Sequence, residues 1–237
     1  MTTVFITGAT SGIGRAMAVA LCDAGYEVLA AGRSEAALKE LQQQRPAITP
    51  IAVDITDRDA LEAVVTDLEI DVLINNAGMM PALGNFADMK LADIDATLEV
   101  NLSAAIILTR LIVPKMRERQ SGHVIFTGSS AGHMAAPNVA VYSATKAAIA
   151  GFAAALRADL SPSGIRVTEV VPGRVETQLY KDILDAKSRA AMYAGNVSLQ
   201  SEDVAKVIVA VLDLPASANV TRFDIMPTRP VPPISSK

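Results

Sequence analysis

"TGATSGIG", residues Thr7–Gly14, decides how this chain is read. It follows "TTVFI" (residues 2–6), a short apolar, β-branched run that reads as a buried strand. It precedes "RAMAVALCDAG" (15–25), where apolar residues recur at helical spacing and Gly25 serves as a C-cap. Gly8, Gly12 and Gly14 therefore occupy a strand-to-helix turn, with Thr10, Ser11 and Ile13 between them. Glycines let such a turn close tightly and let backbone approach a pyrophosphate, which then sits on the positive end of the next helix. The spacing is G-x-x-x-G-x-G rather than the commoner G-x-G-x-x-G. A glycine cluster by itself also serves a bare turn. Its place in the first strand-helix unit is what points to a dinucleotide.

Outward from that turn, strands and helices alternate. "YEVLAAG" (26–32), "ITPIAVDIT" (48–56), "DVLINNAG" (71–78), "GHVIFTGSS" (122–130), "GIRVTEVVPG" (164–173) and "RFDIM" (222–226) read as further strands. Helical patterns lie between them at 34–44, with Ser34 as N-cap, and at 57–68, 88–120, 141–160 and 201–214. Pro114 is expected to kink the long helical region, and residues 177–200 read as irregular or helical. Strands apolar throughout need cover on both faces, and right-handed crossovers make the sheet parallel. The pattern predicts an α/β fold: one Rossmann-like, doubly wound domain over residues 1–237, with a seven-stranded parallel sheet. Residues 177–200 form its substrate-loop region and 227–237 a Pro-rich tail.

Composition narrows the function classes. Apolar residues make up 51% and charged residues 19%, enough for a sizeable core. A net charge of −4 without a Lys/Arg block argues against nucleic acid as a partner. The lone Cys22 rules out an internal disulfide and argues against a cysteine metal site; no metal is expected. "MTTVFITGAT" lacks the basic and apolar regions of a signal peptide, and no stretch reaches the ~18 uninterrupted apolar residues of a membrane span. A cytoplasmic chain without a membrane partner is expected.

The end of the second strand discriminates between nicotinamide cofactors. An acidic residue about 20 residues beyond the glycines accepts from the ribose 2′-hydroxyl in NAD-binding folds. Here the position reads "AAGRS": Gly32 removes the carboxylate and Arg33 offers a planar guanidinium suited to a phosphate. NADP(H) is the expected cofactor, with Ser34 able to add a hydroxyl contact. Arg33 as an ordinary surface charge is the competing reading.

"TGATSGIG", "NNAG" (75–78), Ser129, "YSATK" (142–146) and "PGRVET" (172–177) together resemble the short-chain dehydrogenase/reductases. The resemblance runs from about residue 3 to residue 226, with the motifs in order and spacing. It implies interconversion of an alcohol and a carbonyl, with hydride moving to or from the nicotinamide. Such a reaction needs a proton donor at the carbonyl oxygen. Tyr142 and Lys146, at i and i+4, share a helix face, and a nearby ammonium is expected to lower a phenol's pKa. The resemblance makes Tyr142 the acid/base, Ser129 the partner of the substrate oxygen (Ser130 being the alternative), and Lys146 the holder of the nicotinamide ribose as well. Asn101 matches the asparagine that holds a water near the lysine. Taken singly, each has a bland reading as a helix tyrosine, a surface lysine or a bending polar residue.

The resemblance also assigns Asp54 and Ile55 to the adenine and the turn of Asn76, Ala77 and Gly78 to the adenine ribose. Pro172, Gly173, Val175 and Thr177 fall to the nicotinamide amide, with pro-S transfer. The substrate pocket is expected from Met79, Met80, the stretch His133–Val139 and the 177–200 region with Tyr180, Met192 and Tyr193. This suits a small or medium, partly apolar carbonyl. Arg174 can clamp an anionic group or serve a surface or subunit contact, and His133 is a further substrate candidate. "NVTRFDIMPTRP" (219–230) resembles the branch containing NADP-dependent serine and 3-hydroxy acid dehydrogenases. The family commonly pairs helices matching 88–118 and 141–160, so a homodimer or homotetramer is expected. Two other readings stay open: a catalytically silent NADP-binding sensor, and an epimerase that retains its NADP.

Overall fold

The computed structural model describes residues 1–181, 183–194 and 198–229. Seven strands form one parallel sheet: β1 (Thr3–Thr7), β2 (Glu27–Gly32), β3 (Ile48–Ala52), β4 (Val72–Asn75), β5 (Gly122–Thr127), β6 (Ile165–Pro172) and β7 (Arg222–Ile225). Their order is β3-β2-β1-β4-β5-β6-β7. The helices are α1 (Gly12–Asp23), α2 (Glu35–Gln44), α3 (Arg58–Val65), α4 (Leu91–Leu98), α5 (Ala104–Glu118), α6 (Ala140–Leu160), α7 (Ala186–Tyr193) and α8 (Ser201–Leu212).

The period of two along each strand divides the core into two layers. Val4 and Ile6 of β1 face Met17 and Leu21 of α1, Leu38 and Leu41 of α2, and Val204 and Ile208 of α8. Phe5, between them, faces the layer of Leu61 from α3, Leu108 and Ile112 from α5, and Ile149 and Ala153 from α6. Val72 and Ile74 against Leu73, and Ile125 against Val124 and Phe126, repeat the division. Both faces are covered, which is why the central strands read as continuous apolar runs. Burying one such side chain as fully as Phe5 stabilises the fold by about 1.5–3 kcal/mol.

The chain winds outward from β1 to β3, then returns to lay β4 on the other side of β1. That reversal opens a crevice beyond the carboxyl ends of β1 and β4, where open α/β sheets bind ligands.

Local sequence explains several boundaries. Ser34 caps α2 as expected, its hydroxyl accepting from the Ala37 N–H at 3.3 Å. Pro114 lies inside α5, Ala104–Glu118. The long helical region also holds a break that the sequence reading did not place, a π turn at Glu99–Ser103 centred on the buried Asn101. Proline deletes one backbone donor, whereas the π turn widens the ladder by a residue and turns Asn101 inward. The run Leu91–Glu118, 28 residues long with an 18-residue window of mean hydropathy 1.6, is long and apolar enough to cross a membrane by length and composition alone. Its Leu108, Ile112 and Met116 are core residues. The 177–200 region holds a 3-10 turn at Gln178–Tyr180 and α7. Its far end is pinned beside β6, Leu199 N–H donating to Arg174 O at 2.9 Å and Glu176 N–H to Leu199 O at 2.8 Å. Of the Pro-rich tail, residues 230–237 lie outside the described residues.

Candidate active site

A cleft of about 1130 Å³ spans the carboxyl ends of the strands. One end is built by the β1–α1 turn. Gly8 has φ +69°, and a Cβ there would stand 2.9 Å from the Cα of Ala77, so the turn and the β4 end touch backbone to backbone. A Cβ on Gly14 would stand 2.2 Å from the Gly8 carbonyl oxygen. Gly14 therefore closes the turn from behind and does not line the cleft, whereas Gly8, Thr10, Ser11, Gly12 and Ile13 do. Ser11 is the N-cap of α1, yet its side chain makes no capping bond, and the first turn carries no acidic residue. The first amides of α1 thus face the cleft with a positive helix end, which fits an anion.

The turn is braced from below. The Thr7 hydroxyl accepts from the N–H groups of Asn76 and Ala77, each at 3.0 Å. Asn76 Nδ2 donates to Thr7 O at 3.1 Å, and Thr127 Oγ1 donates to Asn76 Oδ1 at 3.2 Å. "NNAG" is therefore a clamp across β1, β4 and β5 as well as a turn.

Farther out, Arg33, Asp54 and Ile55 line the cleft beyond β2 and β3. The Arg33 side chain is 79% exposed and lies 4.0 Å from Asp54, a long contact that leaves the guanidinium's donors to solvent. Ser34 is spent on its cap and does not line the cleft. The open donors of Arg33, the absent carboxylate at Gly32 and the bare α1 amides fit a dinucleotide bearing an extra phosphate.

The reactive end lies beyond β5 and β6. Ser129 has extended backbone at the end of β5, its Oγ accepting from the Ala131 N–H at 3.2 Å. Ser129 and Tyr142 both line the cleft, the Ser129 hydroxyl close enough to favour the charged form of the phenol. Helix α6 sets Tyr142 and Lys146 on one buried face, with Nζ 5.8 Å from the Tyr142 ring centroid. Lys146 Nζ donates to Thr127 O at 2.7 Å. Burial pushes Lys146 down to about 8, against the opposing pull of the Glu169 carboxylate. Burial raises the Tyr142 pKa above its ordinary value, and the nearby Ser129 hydroxyl only partly offsets that. The expected lowering of the phenol by Lys146 is thus corrected: desolvation outweighs an ammonium that is turned toward a backbone carbonyl. Tyr142 is a proton donor across the neutral range.

Asn101 does not line the cleft. Its side chain makes a reciprocal pair with the Met79 backbone, accepting from N–H at 2.7 Å and donating to O at 2.9 Å. It also donates to Thr145 Oγ1 at 3.3 Å. A Cβ at Gly78 would stand 3.4 Å from Asn101 Oδ1 and 3.8 Å from Lys146 Nζ, so glycine keeps that corner open. The structure thus gives the Asn101 side chain to the Met79 turn, beside Lys146, rather than to solvent.

Pro172, Gly173, Val175 and Thr177 line the cleft opposite α6, as do Met79, Met80, Ser130, Arg174 and Tyr180. Tyr180 is pushed up to about 12 by burial, reinforced by neighbouring Tyr142 and Tyr193. Arg174 lies partly buried beside Tyr180 and Tyr193. Tyr193 and Met192 are not among the cleft's lining, and Tyr193 borders a smaller pocket with Arg189. His133 is also drawn away: its Nε2 is 2.8 Å from Glu169 Oε1 and its Nδ1 is 3.4 Å from Arg222 Nη1. Sequence reasoning missed Thr7, Thr127 and Glu169, which act through neighbours far away in the chain, and Lys181 and Arg229, which line the cleft. Among the described residues no group of three or more His, Cys, Asp or Glu gathers as a metal site.

A dinucleotide cradle joined to a Ser-Tyr-Lys cluster is the machinery of a nicotinamide-dependent oxidoreductase acting on alcohols and carbonyls. The chain belongs to the short-chain dehydrogenase family, whose model matches residues 2–188. It is 44% identical over 224 residues to an uncharacterised short-chain type dehydrogenase/reductase of Sinorhizobium fredii, covering 94% of this chain and 90% of the relative. It is 37% identical to sulfoacetaldehyde reductase 2 of Chromohalobacter salexigens, over 95% and 94% of the two chains. A solved structure of serine dehydrogenase in its closed form, complexed with NADP+, superposes with a TM-score of 0.93 at 30% identity, covering 100% of this chain and 99% of that one.

Proposed function

We propose that this enzyme uses NADP(H) to interconvert a small carbonyl bearing an anionic group with the corresponding alcohol, with Tyr142 as acid/base. The observation that carries the reading is the buried Tyr142–Lys146 pair, lining with Ser129 the end of the cleft beyond the glycine cradle. Arg33 would hold the 2′-phosphate, the Gly8–Ile13 loop the pyrophosphate, and Lys146 the nicotinamide ribose. When bound, the cofactor supplies or accepts the hydride.

The residues do the rest. Ser129 binds the carbonyl oxygen and holds it against Tyr142. Tyr142, kept protonated by burial, gives its proton to that oxygen as negative charge develops. Lys146 stabilises the phenolate left behind. Met79, Met80 and Tyr180 shield the reacting centre from water.

The anionic group is supported by charge. The protein carries a net −4, yet the cleft's substrate side is lined by Arg174, Lys181 and Arg229. Among the described lining residues Asp54 is the one carboxylate, and it lies at the Arg33 end. Sulfoacetaldehyde and serine, named for the two relatives, both carry an anion. The test is a screen of NADPH and NADH oxidation with anionic and neutral aldehydes and keto acids, on wild type and Arg174→Ala. Arg174→Ala should raise KM for anionic substrates by about 10-fold or more and leave neutral ones within about twofold. Equal losses on both classes refute the anion subsite. NADPH binding without turnover on any carbonyl refutes the activity.

Association into a homo-oligomer belongs to the same proposal. Ala144, Ala147, Ala148, Gly151, Ala154 and Ala155 form an exposed small apolar face on α6. A monomer by sedimentation equilibrium at micromolar concentration refutes it.

A further inference from the structure

Lys146 and Glu169 are the two buried members of the lysine, arginine and carboxylate residues among those described. The role of Lys146 follows from the cluster, whereas nothing so far uses Glu169. A buried carboxylate is costly unless it is hydrogen-bonded and faces positive charge. Glu169 lies on β6, beside the segment Thr127–Gly128–Ser129. A Cβ at Gly128 would stand 2.5 Å from Glu169 Oε1, so the carboxylate occupies the space that the missing side chain leaves. Thr127 before it accepts from Lys146 Nζ, and Ser129 after it lines the cleft beside Tyr142. The same Oε1 receives His133 Nε2 at 2.8 Å. His133 closes the turn that Ser129 begins, with His133 N–H donating to Ser130 O at 3.1 Å and Gly132 N–H to Ser129 O at 2.9 Å.

We propose that Glu169 is a positioning residue of the active site: through His133 it ties the Ser129 turn to β6, and its buried charge holds Lys146 as an ammonium. This rests on reading Tyr142 and Lys146 as the proton-transfer pair. Without that charge, burial of Lys146 is opposed by no carboxylate, since Glu169 is the one group that pulls its pKa upward. The charged and titratable groups around the pair are His133 from the β5 turn, Tyr142, Lys146 and Arg157 from α6, Arg222 from β7, and Tyr180 beyond Tyr142.

The test is a proton titration of Lys146 in full-length protein labelled with 13Cε-lysine, the signal being assigned by its loss in Lys146→Arg. Glu169→Gln keeps shape and removes charge. The Lys146 midpoint should fall below that found for the wild type, and Glu169→Asp should restore part of it. A fall of about one pH unit lowers the ammonium fraction about fivefold at pH 8 and by about a tenth at pH 6. With the fastest carbonyl found in the screen, kcat should follow the same pH dependence. An unchanged midpoint in Glu169→Gln overturns the electrostatic role, and so does a kcat loss equal at all pH values. If the Gln variant does not fold, Glu169→Met, an apolar replacement of similar shape, gives the same titration. His133→Ala should lower kcat at every pH and leave the Lys146 midpoint in place; an unchanged kcat overturns the tether. The titration needs no substrate, so failure of the proposed activity still leaves the electrostatic role of Glu169 decided on its own.

Discussion

His123 makes the stability of this protein sensitive to acid in a way the structure quantifies. It lies on β5, 1% exposed, with Nε2 2.8 Å from Thr168 Oγ1. The Thr168 hydroxyl already donates to Val220 O at 2.6 Å, so it can only accept from the ring. His123 is therefore the neutral Nε2–H tautomer, and its Nδ1 has no hydrogen-bond partner. Protonation would bury a charge and an N–H without an acceptor. Burial, assisted by Arg166, pushes His123 down to about 3 from an unfolded 6.5. The unfolded chain thus binds a proton that the folded chain refuses. His123 costs no stability well above pH 6.5, and the cost grows as pH falls from there toward about 3. At 1.36 kcal/mol per pH unit, the loss between about pH 7.5 and about pH 5.5 is about 1.4 kcal/mol. The assay is urea unfolding of wild type and His123→Gln at fixed protein concentration across that range, comparing the difference in unfolding free energy at each pH. The difference should shrink by about 1.4 kcal/mol toward pH 5.5, since the amide does not titrate. A pH-independent difference refutes the assignment of a neutral, unpartnered ring.

Tyr142→Phe should lower kcat by about 10²–10⁴-fold with NADPH affinity within about twofold of wild type; stopped-flow turnover with fluorescence binding checks both. Near-normal turnover removes the acid. Arg33→Ala should weaken NADPH binding by about 10–100-fold, the worth of a charge-assisted bond to phosphate, and leave NADH unchanged by calorimetry. An equal loss for both cofactors assigns Arg33 to the surface alone.

The fold was legible because its determinants are local. Continuous apolar strands, helical spacing between them and glycines at one turn require a doubly wound parallel sheet covered on both faces. That Tyr142 and Lys146 share a helix face was legible for the same reason, lying one turn apart, whereas the roles expected of them and of Ser129 followed from the resemblance. Ser34 capped α2 where its position predicted. What sequence could not supply was how each side chain is used once distant strands meet. Asn101 was expected to hold a water near Lys146, yet its side-chain amide pairs with the Met79 backbone at the π turn. His133 sits four residues from Ser129 and was read as a substrate contact, but β6 brings Glu169 against it and draws the ring away. Tyr142 was expected to be lowered by its neighbouring ammonium. Burial raises it instead, because desolvation depends on what covers a group and not on what stands beside it in sequence. Residue types and spacing therefore determined the sheet, the cofactor cradle and the reacting pair. Only tertiary structure decided burial, hydrogen-bond partners and protonation, because each depends on contacts between residues tens of positions apart in the chain.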